Sequence, residues 1–326
     1  MNAPIFRFLM VGVLALVAPM VDADAAEQPA VAASSGPFVG HQSVVTALVF
    51  NPNGDLLAST SIDRSVRLWS AVDGRSLGEI IYPAQVFAAA FTPDGRALGA
   101  AGVDGVIRLW QLSDRTLLRS FVGHSATIRS LAFSPDGSAC ASIGVGGEIR
   151  VWDVASGNSR FVVQAHPGVG CAIAFSPDGR AIASAGAEGT IRLWSAKDGQ
   201  AVGTLAGHDG PVRSLAFGPG GRLVSGGVDK SVRIWTVADR KQILLLRGHL
   251  GLVRSVVFSP DGRLAISGSG DGTIKVWDSN SGELLKTLGG PEENEGDSGV
   301  YGVAVAPNGS RVISGGMRSI EVWSLP

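Results

Sequence analysis

The sequence of 326 residues predicts an all-β fold, a seven-bladed β-propeller closed into a ring by its own N-terminal strand. Three observations predict it. Tryptophan recurs at a nearly constant interval, a tight turn precedes each tryptophan at a similar distance, and apolar and polar residues alternate between the two. The high glycine content, 45 residues, agrees with a chain that turns often.

The tryptophans mark the repeats. All seven in the chain belong to one series, at spacings of 41, 42, 42, 41, 42 and 46 residues: Trp69, Trp110, Trp152, Trp194, Trp235, Trp277 and Trp323. The residues before each of them alternate, as in Val66-Arg67-Leu68-Trp69, which is typical of a half-buried strand. Residues 26–326 are therefore predicted to form one domain of seven repeats.

Turn sequences divide each repeat into four strands. At 15 or 16 residues before each tryptophan stands a hairpin signal: Asn53-Gly54, Asp94-Gly95, Asp136-Gly137, Asp178-Gly179, Gly220-Gly221, Asp261-Gly262 and Asn308-Gly309. A second turn, such as Asp73-Gly74, follows each of the first six tryptophans. A four-stranded sheet of this size cannot bury both faces alone, but seven sheets packed around an axis can.

The ends of the chain predict how the ring closes. The sequence stops just after Trp323, where the last repeat still lacks a fourth strand. The segment 31–39 is expected to supply that strand, so that no sheet edge is left open.

These repeats resemble the WD40 family over about residues 30–326. Five of them open with histidine, and two carry the Trp-Asp pair itself, Trp152-Asp153 and Trp277-Asp278. The resemblance implies one hydrogen-bonded group per repeat, built from this histidine, a Ser or Thr, an Asp and the tryptophan. Three repeats have all four members: His41, Ser59, Asp63 and Trp69; His208, Ser225, Asp229 and Trp235; His249, Ser267, Asp271 and Trp277.

Four repeats depart from this pattern and are expected to be less rigid. Repeat 2 has Tyr82 and Ala100 in place of His and Ser, and repeat 7 lacks both His and Asp. Repeat 3 has Gly146 where Asp is expected. Repeat 4 has Glu188 there, which is expected to fit its turn poorly.

The N-terminus predicts export. Arg7 precedes an apolar run of 14 residues, and Ala23 and Ala25 provide a cleavage site, so residues 1–25 are interpreted as a signal peptide and the mature protein as secreted, in a bacterial periplasm. The run is shorter than the roughly 20 residues of a spanning helix. An uncleaved anchor and a chance apolar start are the alternatives.

Composition excludes several functions. The chain has 27 basic and 28 acidic residues, which gives no sign of nucleic-acid binding. All five histidines stand at repeat positions, so no catalytic residues, metal ligands or cofactors are predicted. The places of Cys140 and Cys171 in different strands argue against a disulfide.

The resemblance also implies where a partner binds, since propellers of this family commonly use the face that carries the histidine loops. The fifth residue after the histidine position is expected to be exposed there. Its ring contains Arg129, Arg213, Arg254, Phe87 and Tyr301, and Leu252 stands two positions before Arg254. Arginine and aromatic residues dominate binding hot spots. The acidic segment Glu292–Asp297 is either a plain loop or a cover for these arginines.

Three functions remain open. The first is an exported scaffold that binds a protein or peptide, acidic in character. The second is a hydrolase or lyase that uses carboxylates in the central channel. The third is an intracellular propeller whose N-terminus only imitates a signal peptide.

Overall fold

A computed structural model of the chain describes residues 38–289 and 299–325. In this part of the chain 27 strands form seven antiparallel sheets, and in each sheet the strands follow chain order. The prediction of an all-β seven-bladed propeller is confirmed.

The blades have the following strands. Blade 1 contains β1 (Val45–Phe50), β2 (Leu56–Ser61), β3 (Ser65–Ser70) and β4 (Ser76–Ile81). Blade 2 contains β5 (Val86–Phe91), β6 (Ala97–Gly102), β7 (Val106–Gln111) and β8 (Leu117–Val122). Blade 3 contains β9 (Ile128–Phe133), β10 (Ala139–Gly144), β11 (Glu148–Asp153) and β12 (Ser159–Gln164). Blade 4 contains β13 (Gly170–Phe175), β14 (Ala181–Gly186), β15 (Thr190–Ser195) and β16 (Ala201–Ala206).

The remaining blades follow the same plan. Blade 5 contains β17 (Val212–Gly218), a single 3-10 turn (Pro219–Gly221), β18 (Arg222–Gly227), β19 (Val232–Thr236) and β20 (Lys241–Leu246). Blade 6 contains β21 (Val253–Phe258), β22 (Leu264–Ser269), β23 (Thr273–Asp278) and β24 (Leu284–Gly289). Blade 7 contains β25 (Gly302–Val305), β26 (Arg311–Gly315) and β27 (Ile320–Ser324).

The first strand of each blade lies innermost and is almost wholly buried, whereas the fourth is exposed along much of its length. The turns after the fourth and second strands lie on one face, here called the upper face. The turns after the first and third strands lie on the lower face. The histidine positions are all on the upper face.

Blade 7 packs against blade 1 and closes the ring. The amide of Val45 donates to the carbonyl of Gly316 at 3.1 Å. Side chains of both blades form one apolar cluster that includes Phe38, Trp69 and Ile313. The contact is therefore a packed core between the first and last repeats.

Phe38 shows how the N-terminal segment meets blade 7. Its amide donates to the carbonyl of Ile320 in β27 at 3.2 Å, and its ring packs edge-on against Trp69 with centroids 5.5 Å apart. Phe121, at the end of the fourth strand of blade 2, makes the equivalent contact with Trp152, with a tilted geometry and centroids 5.9 Å apart. Phe38 thus occupies a fourth-strand position of blade 7. Most of the predicted closing strand, residues 31–37, lies outside the described residues.

The lower face carries a chain of contacts between neighbouring blades. In blade 1, Gly54 has a positive φ of 77°, and a Cβ there would lie 3.0 Å from Pro307 of blade 7. Gly95 faces Pro52 of blade 1 in the same manner. In blade 5 the equivalent Gly221 has no heavy atom within 4 Å of that position. One turn of the ring therefore lacks the contact that its neighbours make.

Candidate functional site

The histidine groups of blades 1, 5 and 6 form within single blades. In blade 1, Trp69 Nε1 donates to Ser59 Oγ at 2.8 Å, and His41 Nε2 lies 2.7 Å from the same hydroxyl. His41 Nδ1 lies 2.8 Å from Asp63 Oδ2. The equivalent contacts join His208, Ser225, Asp229 and Trp235, and His249, Ser267, Asp271 and Trp277.

A neutral histidine satisfies every donor in this group. The indole N–H donates to the serine, the serine hydroxyl donates to Nε2, and Nδ1–H donates to the carboxylate. A second ring proton would displace the serine proton from Nε2. Burial lowers the pKa of His41 and His249, and it lowers the pKa of His124 to about 4. These groups therefore hold the blades, and the imidazoles of His41, His124 and His249 are neutral at pH 7.

Two blades complete the group with glutamate, which the sequence analysis did not foresee. In blade 4 Glu188 Oε1 lies 2.6 Å from His166 Nδ1 and accepts from Thr190 Oγ1 at 2.8 Å. The expectation that Glu188 fits poorly is wrong, because its longer side chain reaches the ring. In blade 3 Glu148 Oε1 lies 3.1 Å from His124 Nδ1 and takes the role missing at Gly146.

Blade 2 is built differently. The Tyr82 hydroxyl lies 2.9 Å from the carbonyl of Ala100 and 2.7 Å from that of Val106, so the tyrosine reaches the backbone of two strands. Because Ala100 has no hydroxyl, the buried Nε1 of Trp110 has no hydrogen-bond partner among the described residues. In blade 7, which has no such histidine, Trp323 Nε1 still donates to Ser314 at 2.9 Å.

A β-bulge sets the ring of predicted partner-binding residues. In each of the first six blades one residue of the innermost strand has no partner in the second strand. For example, Val45 pairs with Ser61 and Ala47 pairs with Thr60, so Thr46 is the extra residue. A bulge re-aims its side chain and is frequent beside binding sites. The other five bulged residues are Phe87, Arg129, Cys171, Arg213 and Arg254.

This ring lies at the upper mouth of the central channel and is more deeply buried than expected. Arg129 is 8% exposed and Arg213 is 7% exposed, while Arg254 is half-buried. Phe87 and Tyr301, expected as exposed anchors, are buried and pack together with Val44 and Ile62. The expectation of exposure is wrong, because the bulge turns Phe87 into this apolar cluster and Tyr301, which directly precedes β25, packs in the same cluster.

The aromatic rings support two of the arginines. The Arg254 guanidinium carbon lies 3.9 Å from the centroid of the Tyr301 ring, and that of Arg129 lies 5.6 Å from the centroid of the Phe87 ring. Both distances are within the range of cation–π attraction. One side of the mouth is therefore aromatic, and the other is cationic.

Cys171 stands between the cationic residues of blades 3 and 5. Burial raises the pKa of its thiol although the positive charges of Arg213 and Arg129 oppose that shift. Both Cys171 and Cys140 are buried free thiols. A protonated, buried thiol is a poor nucleophile.

Leu250 is the most exposed large apolar residue among the described residues of this face, and it was not predicted from the sequence. Its side chain is 82% exposed, whereas the predicted Leu252 is half-buried. The signal was present in the sequence, since Leu250 directly follows His249 in a loop where the other repeats have Gln, Pro, Ser or Asp.

Two predicted features lie outside the described residues: the signal peptide, residues 1–25, and the acidic segment Glu292–Asp297. The described residues contain no helix that is long and apolar enough to cross a membrane. In the same residues, no three His, Cys, Asp or Glu side chains are grouped to hold a metal ion.

Hydrogen bonds from neighbouring groups lower the pKa of several carboxyl groups among the described residues. Where their pKa is shifted, it is shifted downward, as for Asp94 and Asp229. At both residues burial opposes ionisation, but hydrogen bonds from neighbouring groups outweigh it. These carboxylates stay ionised and organise turns.

Comparison with known families agrees with this architecture. The WD domain, G-beta repeat family matches seven segments of the chain: residues 33–70, 78–111, 115–153, 157–195, 199–236, 240–278 and 282–324. These segments coincide with the seven repeats and cover most of the sequence. Propellers of this family are commonly protein-interaction scaffolds and are typically not enzymes. The chain belongs to the WD40 repeat family.

Proposed function

We propose that this protein is an exported scaffold that binds an acidic segment of a protein partner at the upper mouth of its channel. The ring of bulged residues is the observation that carries the proposal. It brings Arg129, Arg213 and Arg254 to one circumference, although they are 41 to 125 residues apart in the sequence.

The stacked arginines suit a carboxylate ligand. A guanidinium that rests on an aromatic face keeps its N–H donors in the plane of the group, where they can form paired hydrogen bonds to a carboxylate. Tyr301 and Phe87 hold Arg254 and Arg129 in this way. Their role in binding is to orient the cations, because their own surfaces are buried.

Arg129 and Arg213 also act on each other. Burial lowers the pKa of Arg129, and the charge of Arg213 lowers it further. The buried Nε of Arg213 has no hydrogen-bond partner among the described residues. An anion bound between the two side chains would offset their repulsion and supply a missing acceptor.

Leu250 extends the surface beyond the mouth. It lies on the same upper face as Arg254 and is exposed to solvent. A large apolar side chain beside a cationic pocket favours a partner segment that combines carboxylates with an apolar residue.

Affinity capture from a periplasmic extract tests this assignment. We expect R213Q/R254Q to lose partners that the wild-type protein retains, with the captured proteins identified by mass spectrometry. Glutamine keeps much of the side-chain volume, which suits these buried positions better than glutamate. The matched control is R75Q/R263Q, which removes two exposed arginines of the lower face. Equal capture by both double variants would place the binding surface elsewhere.

Export is tested separately. The small residues Ala23 and Ala25 behind the apolar run support cleavage after Ala25. N-terminal sequencing of protein recovered from the periplasm should begin at Ala26. Recovery of a chain with Met1 from the membrane or the cytoplasm would refute the export part of the proposal and leave the binding part standing.

A further inference from the structure

A cleft of about 510 Å³ opens on the lower face between blades 3 and 4, opposite the channel mouth. Its floor includes Phe175, Ala139 and Ala196. Charged side chains of both blades line it, and they are Asp136, Arg160, Asp178, Arg180 and Lys197.

The two carboxylates of the cleft are occupied within their own turns. Asp136 accepts from the amide of Ser138 at 3.0 Å and from the hydroxyl of Ser134. Asp178 accepts from the amide of Arg180 at 3.1 Å and from the hydroxyl of Ser176. Both carboxylates organise the turn between the first and second strands of their blade.

The cations of the cleft form fewer hydrogen bonds and salt bridges within the protein than the carboxylates do. Arg160 is held by Asp153 and by the carbonyl of Ser138, each at 2.8 Å. Arg180 and Lys197 are exposed, and neither side chain forms a hydrogen bond or salt bridge with the described residues. Two of the three cations are therefore available to a ligand.

This set of cations belongs to one blade junction. In the five other blades with a described fourth strand, the position of Lys197 holds Val72, Ser113, Ala155, Ala238 and Asn280. The position of Arg160 holds Leu77, Leu118, Val202, Ile243 and Leu285. The repeat itself does not require a cation at either place, so the blade architecture does not explain the cluster.

We infer that the cleft between blades 3 and 4 is a second interaction surface, which binds an extended acidic segment of a protein partner. The cations stand on an inner turn, an outer turn and an outermost strand, so they line the cleft at separate places. That spacing suits several carboxylates along a chain better than one compact anion. The site shares no residue with the channel mouth and does not depend on it.

Carbodiimide coupling tests the inference on the whole protein. The probe is a peptide of alternating Glu and Ser, acetylated and amidated at its ends. The reagent joins a Glu carboxylate to a lysine ε-amine as an amide, with the lost water taken up by the carbodiimide to form a urea. The chain has five lysines and the channel ring has none, so coupling located at Lys197 reports on the cleft and not on the channel ring.

We expect coupling at Lys197 to exceed coupling at Lys241, which is also exposed but lies in blade 5. The variant R180Q should lower coupling at Lys197 about two- to fivefold, as for loss of one exposed charge contact. The control R96Q changes the same turn position in blade 2 and should leave coupling at Lys197 unchanged.

Equal coupling at Lys197 and Lys241 in the wild-type protein would overturn the inference. Equal effects of R180Q and R96Q would overturn it too, since they would show an effect of net charge alone. Thermal unfolding of each variant shows that the fold is intact. Loss of binding in R213Q/R254Q with retained coupling at Lys197 would separate the two surfaces.

Discussion

At the scale of the residue, the blades differ in whether and how the buried indole N–H of their tryptophan finds a hydrogen-bond acceptor. Five blades provide one through a serine that also serves a histidine, and blade 7 uses Ser314 without a histidine. Blade 2 leaves Trp110 Nε1 without a partner among the described residues, because Ala100 stands where the others have serine. An unsatisfied buried donor costs about 1–3 kcal/mol.

The variant A100S should therefore raise the free energy of unfolding, by about 1 kcal/mol, because it offers Trp110 an acceptor. The reverse change, S142A in blade 3, should lower it by about 1–3 kcal/mol, since Trp152 and His124 both lose a partner. Denaturant unfolding followed by tryptophan fluorescence measures both. A destabilised A100S would mean that Tyr82 leaves no room for the hydroxyl.

The carboxylates of blades 4 and 5 allow a comparison of glutamate with aspartate. D229A should lower the free energy of unfolding more than E188A does, and we expect each variant to lower it by about 1–3 kcal/mol. Both lose the bond to histidine, but Asp229 also accepts from the amides of Asp209 and Ser231. Equal denaturation midpoints for the two variants would show that these amide bonds contribute nothing.

At the scale of the element, the sequence predicted where the strands lie. It did not predict the bulge that shifts the pairing between the first and second strands of a blade. Tryptophan spacing and Asn-Gly or Asp-Gly turns mark the hairpins because those turn residues tolerate positive φ. The bulge has no such signature. One extra residue in the inner strand reverses the alternation that a period of two assumes, so the sequence pattern does not show on which side of its strand Phe87 lies. The exposure expected of Phe87 and Tyr301 followed from the family resemblance, and both side chains are buried.

Side-chain reach explains what else escaped prediction. The histidine partner was sought at one position of each turn, yet Glu148 stands two positions beyond Gly146 and still meets His124. A longer carboxylate reaches the same ring from another place on the backbone. The cleft between blades 3 and 4 was also missed, because its cations come from three separate segments of the chain.

The lower turns give a prediction for single elements. G54A should destabilise the protein more than G221A does. Both glycines have a φ near 70°, so both variants incur backbone strain of about 1–2 kcal/mol. Only Gly54 faces a proline of the neighbouring blade, at 3.0 Å from the position of a Cβ. Thermal unfolding of the two variants gives the difference. Matching midpoints would show that the contact with Pro307 yields without cost.

At the scale of the whole molecule, closure of the ring depends on residues far apart in the chain. Phe38 joins the first blade to the last through Trp69 and Ile320. F38A should destabilise the protein by about 3–5 kcal/mol, the usual cost of truncating a buried phenylalanine. The matched variant F121A removes the same contact inside the ring.

If F121A lowers the melting temperature and F38A does not, the segment before His41 has no part in closure. If both lower it, the first and last blades are held as firmly as internal neighbours. Size exclusion of F38A adds a second measurement, because an opened outer edge of blade 7 would promote association.

The histidine groups make the stability of the whole propeller depend on pH. Burial lowers the pKa of His41, His124, His166 and His249, so the folded state takes up protons less readily than the unfolded chain. Their contribution is complete above about pH 6.5 and declines as the pH falls towards the folded values, about 4 for His124. The denaturant concentration at the unfolding midpoint should therefore decrease as the pH is lowered from 6.5 to 4. A flat profile in this window would contradict neutral imidazoles in the fold.

Because of the bulges in the inner strands, the residues that maintain a blade are not the residue that faces the channel mouth. Strand pairing, the indole bond and the turns maintain the blade, and the unpaired residue takes no part in the ladder. Each of the first six repeats thus offers one position where Thr, Phe, Cys or Arg stands on a common scaffold. Recognition can then be altered one repeat at a time, by evolution or by design, with the architecture that surrounds it left as it is.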